Sequence, residues 1–185
     1  MLIDTLPFEV TRAGHYQLAT CLQGPPGDFS LKISAPAVTL DLAGFTLQSQ
    51  AEVAILLNAP EFSLRNGKII GSTLALVAEP HVHADHCILE DLEVEGGLFV
   101  GGSSLLARRC RVKGGTYGLK AGVSARISHC EMSDCLIGLE VGAGSEVLDC
   151  RISQCEEGVY AYGSSQAPCH LKNIQIGRAS CRERV

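Results

Sequence analysis

The chain has 185 residues, 46% hydrophobic and 19% charged, with a formal net charge of −5. That length and composition suit one domain with a packed core and exclude a disordered chain. There is no basic stripe for phosphates and no apolar run near the ~18 residues of a membrane helix, so neither a nucleic-acid nor a membrane partner is expected.

The opening MLIDTLPFEVTRAG lacks the basic segment and apolar run of a secretory signal, and the compartment stays open. Residues 1–28 are expected to form an N-terminal cap and entry strand. From residue 29 the sequence repeats. FSLKISAPAVTLDLAGFTL (29–47), VAILLNAPEFSLRNGKII (53–70), LALVAEPHVHADHCILEDLEV (74–94) and LFVGGSSLLARRCRV (98–112) each hold two short apolar runs around a turn-forming segment. YGLKAGVSARISHCEMSDCL (117–136), IGLEVGAGSEVLDCRISQCE (137–156) and EGVYAYGSSQAPCHLKNIQI (157–176) then follow without a gap. Gly118, Gly138 and Gly158 are spaced by 20, as are Cys110, Cys130 and Cys150, and Cys135 and Cys155.

Aligned, the repeats form columns. One reads Leu64, Leu89, Ala107, Ile127, Val147, Leu171; a second Gly67, Leu92, Cys110, Cys130, Cys150, Ile174; a third Ile69, Val94, Val112, Met132, Ile152, Ile176. Between the first two lies a polar column: Asn66, Asp91, Arg109, His129, Asp149, Asn173. Within a unit the alternation has period 2, in runs of three to five residues broken by Gly, Ser, Asp and Asn. That predicts short strands and tight turns and leaves no room for helices. Such a unit cannot bury its apolar face alone, but stacked units can. The expected fold is all-β, a parallel β-helix of about seven coils of 19–24 residues, the coils spanning 29–175, with rungs about 4.8 Å apart. Stacked turns favour an Asn/Asp/His column, because those side chains bond to neighbouring backbone.

The nine cysteines are odd in number and contain no Cys-x2-Cys pair, which argues against a disulfide framework and a zinc site. They are expected to form a ladder of buried, reduced thiols. Cys130 adjoins His129 in SHCEMSDC (128–135), but strand neighbours face opposite sides, so a Cys–His nucleophile is not expected. HVHADH (81–86) reads as a turn insertion in which His81, His83, Asp85 and His86 make a candidate metal cluster. A solvated loop is the commoner outcome, and no metal or cofactor is expected.

The repeat phrases, with GHYQLATCLQG (14–24) leading into VTLDLAGFTL (38–47), resemble right-handed parallel β-helix proteins of the pectin-lyase-like superfamily, of the uncharacterised bacterial type. The resemblance covers residues 5–176. It implies a fold more than a function, since that superfamily includes pectate lyases, polygalacturonases, uronan epimerases and phage tailspikes. Their catalytic patterns are missing: no Asp-Pro-His-Asp, no Gly-His-Gly, and no evident cluster of acids with a nearby Lys or Arg base on one strand face. The resemblance implies that sugar would lie on the strand face following the Gly column. There Leu119, Leu139 and Val159 should point inward, and Lys120, Glu140 and Tyr160 outward on three successive rungs, with Tyr162 nearby. These are the candidate substrate-binding residues, and a polysaccharide is the candidate partner. The expected function is a non-catalytic module that binds carbohydrate or serves as a surface scaffold. The alternatives are the N-terminal part of a polysaccharide lyase, glycoside hydrolase or uronan epimerase, and a phage-like structural fibre. The last ten residues, IGRASCRERV (176–185), break the repeat and match one reading frame of a common short-read sequencing adapter. They are expected to be a non-native, unstructured tail, leaving an uncapped C-terminal coil through which copies could self-associate.

Overall fold

The computed structural model describes residues 1–78, 84–177 and 180–184. The chain winds as a parallel β-solenoid of about 7 turns, 58% strand, with no helix among the described residues. All the strand pairs are parallel and group into three sheets that run the length of the solenoid. Sheet one includes Gly14–Leu18, Val38–Asp41, Leu106–Arg108, Arg126–Ser128 and Glu146–Leu148. Sheet two includes Leu22–Gly24, Thr46–Ser49, Arg111–Lys113, Glu131–Ser133 and Arg151–Ser153. Sheet three includes Phe8–Val10, Phe29–Ile33, Val53–Leu57, Tyr117–Ala121, Ile137–Val141 and Glu157–Tyr162. Two long strands, Phe62–Ala78 and Ile88–Val100, pass through all three sheets and turn both corners without a break.

The pairing follows the columns read from the sequence. In sheet one Leu64, Leu89, Ala107, Ile127, Val147 and Leu171 stack, and Leu40 and Tyr16 extend the column. In sheet two Ile69, Val94, Val112, Met132, Ile152 and Ile176 stack. Their side chains fill the interior, and Leu64, Ile69, Val147 and Ile152 are all 0% exposed. Leu171 and Ile176 belong to the same columns yet are 39% and 36% exposed, because they lie in the last described coil.

The polar column is the corner between sheets one and two. Asn66, Asp91, Arg109, His129, Asp149 and Asn173 all have φ between 52 and 61. This left-handed conformation is one that Asn and Asp tolerate best among side chains with a Cβ. Each corner amide can then donate to the next coil, as Arg109 N–H does to Ser128 O and His129 N–H to Leu148 O. Just inside the corner sits the cysteine column, where Cys110, Cys130 and Cys150 are buried. Two coils before Cys110, Gly67 holds that place, and a Cβ there would lie 2.3 Å from Leu42 Cβ.

Two regions depart from expectation. Residues 1–28, read as a cap and entry strand, already hold strands on all three sheets, with Phe8–Val10 paired to Phe29–Ile33. They lack the Gly/Cys phrase of later coils but keep the alternation that burial requires, as in Ile3, Val10, Tyr16 and Leu18. The tail read as unstructured contains the strand Ser180–Arg184, paired to Glu157–Tyr162 with a register shift. The outermost strand of a sheet presents an unpaired edge, and an extended segment of almost any sequence can add to it.

Candidate functional site

The three sheets present different outer surfaces. On sheet two the outward column runs Lys68, Glu93, Arg111, Glu131, Arg151, alternating in sign from rung to rung. On sheet one Asp41, Arg65, Glu90 and Arg108 do the same. These charges pair along their columns: Lys68–Glu93 at 3.3 Å, Arg111–Glu131 at 3.0 Å, Arg65–Asp41 at 3.1 Å. A trough of about 540 Å³ lies over the corner between these sheets, lined by Lys68, Asp91, Glu93, Arg109, His129 and Glu131 among others. Its charges are engaged with one another. Arg109 forks onto Asp91 at 2.6 and 2.9 Å and also reaches Glu90, and its guanidinium holds the Asp91 carboxyl below the usual carboxylate range. A ligand here would have to displace existing ion pairs.

Sheet three is different. Its strands carry a repeated irregularity in which two successive residues point inward, as Gly118 and Leu119 do, so that residues three apart, Tyr117 and Lys120, both face out. Glycine at the second position follows from crowding: a Cβ on Gly118 would meet Gly138 O at 2.5 Å and Cys135 Sγ at 3.1 Å. Two outward columns result. One holds Phe29, Val53 and Leu74, then Tyr117 and Ile137. The other holds Glu9, Lys32, Leu56, Val77, Phe99, Lys120, Glu140 and Tyr160.

Lys120, Glu140 and Tyr160 therefore occupy one column on three successive rungs. Lys120 Nζ lies 2.8 Å from Glu140 Oε1. The same ammonium sits 4.6 Å from the Tyr117 ring centroid and 5.3 Å from that of Phe99, within cation–π range. Burial tends to lower the Lys120 pKa, but the hydrogen bond and charge of Glu140, with Tyr117, carry it above its ordinary value. Lys120 is thus a fixed cation, neutralised by Glu140, and unsuited to serve as a base. Tyr160 packs against Tyr162 with ring centroids 5.4 Å apart and planes tilted by 41°, and Tyr162 is 45% exposed. Beside Lys120 a notch of about 280 Å³ is lined by Leu74, Val77, Gly97, Leu98, Phe99, Thr116 and Tyr117.

Phe99, Leu74 and Val77 escape the sequence reading because the units before residue 112 are loosely phased, and Tyr117 escapes it because strict alternation would turn it inward with Leu119. A signal existed nonetheless. YGLK (117–120) repeats the pattern of FSLK (29–32), an aromatic three residues before a lysine. Lys32 lies 5.9 Å from the Phe29 ring and 3.9 Å from Glu9, so the aromatic–lysine–glutamate unit occurs at both ends of the strip.

In the HVHADH segment, residues 81–83 lie outside the described residues. Asp85 Oδ1 accepts from both the backbone N–H and the hydroxyl of Ser103, each at 2.7 Å, which ties one coil to the next. His86 is an exposed corner residue with φ 57. Among the described residues no group of three or more His, Cys, Asp or Glu is placed to hold a metal ion. Cys130 is buried, and the neighbouring Cys110 thiol and burial push its pKa up to about 12; Cys150 is raised as well, and Cys87 reaches about 11 through burial. None of these three is a nucleophile at neutral pH. No protein-family model, curated protein or solved structure matches this chain.

Proposed function

We propose that this chain is a non-catalytic module of a right-handed, pectin-lyase-like β-helix that holds a polysaccharide along the outer face of sheet three. The observation that carries this reading is the run of Tyr117, Lys120, Glu140, Tyr160 and Tyr162 on successive rungs of one face. The right-handed sense follows the strong preference of parallel crossovers. Rungs about 4.8 Å apart suit a chain ligand that repeats once per sugar ring. Tyr160 and Tyr162 offer rings with a polar tip, a surface that can cover the apolar side of a sugar and bond to its hydroxyls. The Lys120–Glu140 pair supplies a donor and acceptors for hydroxyls. Because the pair is neutral overall, it favours a neutral sugar over a carboxylate.

The test is a glycan-binding screen of the purified chain with Tyr160→Ala beside it. Loss of binding in the variant is the expected result. Binding of equal strength by both proteins would remove this face from consideration.

A further inference from the structure

We infer that the outer face of sheet three is also a self-complementary interface, on which two copies of this chain pack face to face with their coil axes antiparallel. The reason lies in how the three faces differ. Sheets one and two satisfy their outward charges along their own columns. Sheet three pairs its charges as well, Lys32 with Glu9 and Lys120 with Glu140, but between those pairs it carries aliphatic and aromatic side chains, with Val53, Leu56, Leu74, Val77 and Phe99 all part-exposed. A strip of this kind running over several rungs is unusual on a monomer surface and marks an interaction site.

The order of residues along the strip points to a second copy as occupant. The column reads Glu9, Lys32, Leu56, Val77, Phe99, Lys120, Glu140, Tyr160. A two-fold axis lying in the face, along the strand direction between the Val77 and Phe99 rungs, sets this column against its own reverse. Val77 then faces Phe99, Leu56 faces the Lys120 side chain, whose aliphatic stem can pack on it, Lys32 faces Glu140, and Glu9 faces Tyr160. In the second column Phe29 faces Ile137 and Val53 faces Tyr117. Leu74 faces Gly97, where no side chain stands and the 280 Å³ notch opens. Sliding by one rung in the direction that sets Lys32 against Lys120 brings Glu9 against Glu140, so like charges oppose that shift. Seven rungs of about 4.8 Å and strands of about 16 Å give roughly 500 Å² per copy, about 1,000 Å² in all, at the lower limit of a specific interface. The dimer is therefore expected at micromolar concentrations rather than below.

A dimer and a glycan exclude each other on this face, but the two readings stand on separate measurements. Failure to dimerise leaves the glycan screen untouched, and a failed screen leaves the dimer standing. Sedimentation equilibrium of the full chain from about 5 to 200 µM is expected to show a species of twice the 19.6 kDa chain mass. Lys32→Glu and Glu140→Lys should each remain monomeric across that range, because in a pair of identical variants the substituted side chain meets a like charge. An equimolar mixture of the two should restore the dimer. One copy then carries acids at both positions 32 and 140 and the other carries lysines at both, so each facing pair is again of opposite sign. Circular dichroism verifies that each variant is folded. If Glu140→Lys does not fold, Val77→Asp replaces it as the disrupting variant. A wild-type chain monomeric at 200 µM, a Val77→Asp chain that still dimerises, or a mixture of folded charge variants that stays monomeric would each overturn the inference.

Discussion

Replacing Gly118 with alanine tests whether the 20-residue glycine column exists for close packing rather than for backbone freedom. An added Cβ would lie 2.5 Å from Gly138 O, 2.9 Å from Met132 Cγ and 3.1 Å from Cys135 Sγ. The methionine can shift and the thiol can rotate. The carbonyl cannot, because it is backbone of Ile137–Val141, a strand paired on both sides. Overpacking costs about 1–3 kcal/mol and a weakened ladder bond about 1 more, so Gly118→Ala should lose about 2–4 kcal/mol. Gly114→Asn is the control. Gly114 has φ 78 with nothing within 4 Å of its added Cβ, and the same corner is held by Asp134 and Gln154 at φ 56. That variant should stay within about 0.5 kcal/mol of wild type. Urea unfolding followed by far-ultraviolet circular dichroism, at a concentration below dimerisation, measures both. Gly118→Ala as stable as wild type, or Gly114→Asn costing as much as Gly118→Ala, would refute the crowding argument.

Two further outcomes are expected. Under native conditions a thiol reagent should modify the exposed Cys21 rapidly, while Cys130 and Cys135, with pKa values pushed up to about 12, react only on unfolding; fast modification of Cys130 or Cys135 in the folded chain would show the ladder to be open. Lys120 has a folded-state pKa above its ordinary 10.5, so its stabilising contribution is full below that value and is lost as pH rises through the folded value. The urea midpoint of wild type should therefore stay separated from that of Lys120→Gln below pH 10.5 and converge on it as the pH rises further, and a gap that stays constant would show that the charge contributes nothing.

The core of the fold is legible because burial repeats. An inward position tolerates only an apolar or small residue, so Ile127, Val147 and Leu171 line up by type alone, and the pairing follows that alignment. The left-handed corner is legible for a different reason: Asn66, Asp91, Asp149 and Asn173 are residue types that this backbone favours. Arg109 shares the conformation without sharing the preference, and only its place in the column reveals it. The N-terminal coil is less legible because it keeps the alternation and drops the Gly/Cys phrase. The aromatic environment of Lys120 is hidden because Phe99 reaches it from a coil whose spacing differs from 20, so its alignment with Lys120 depends on the pairing Phe99↔Lys120 itself.

SHCEMSDC, dense in metal-binding and redox residue types, divides across three environments once the chain is coiled. His129 stands at an exposed corner, 3.8 Å from Asp149 on the next coil. Cys130 and Cys135 are buried on either side of Met132, which points into the core between them. Glu131 faces outward and pairs with Arg111 one coil back. In a solenoid, nearness along the sequence says little about shared chemistry, while a separation of one coil says a great deal. The same rule directs the proposed function to sheet three. Its outward columns change residue class from rung to rung, from lysine to aliphatic to aromatic to glutamate and tyrosine. The columns of sheets one and two alternate sign and neutralise themselves. Variation imposed on an otherwise regular stack is where a solenoid can distinguish one ligand or partner from another, and here it coincides with the part-exposed aliphatic and aromatic strip between the ion pairs of sheet three.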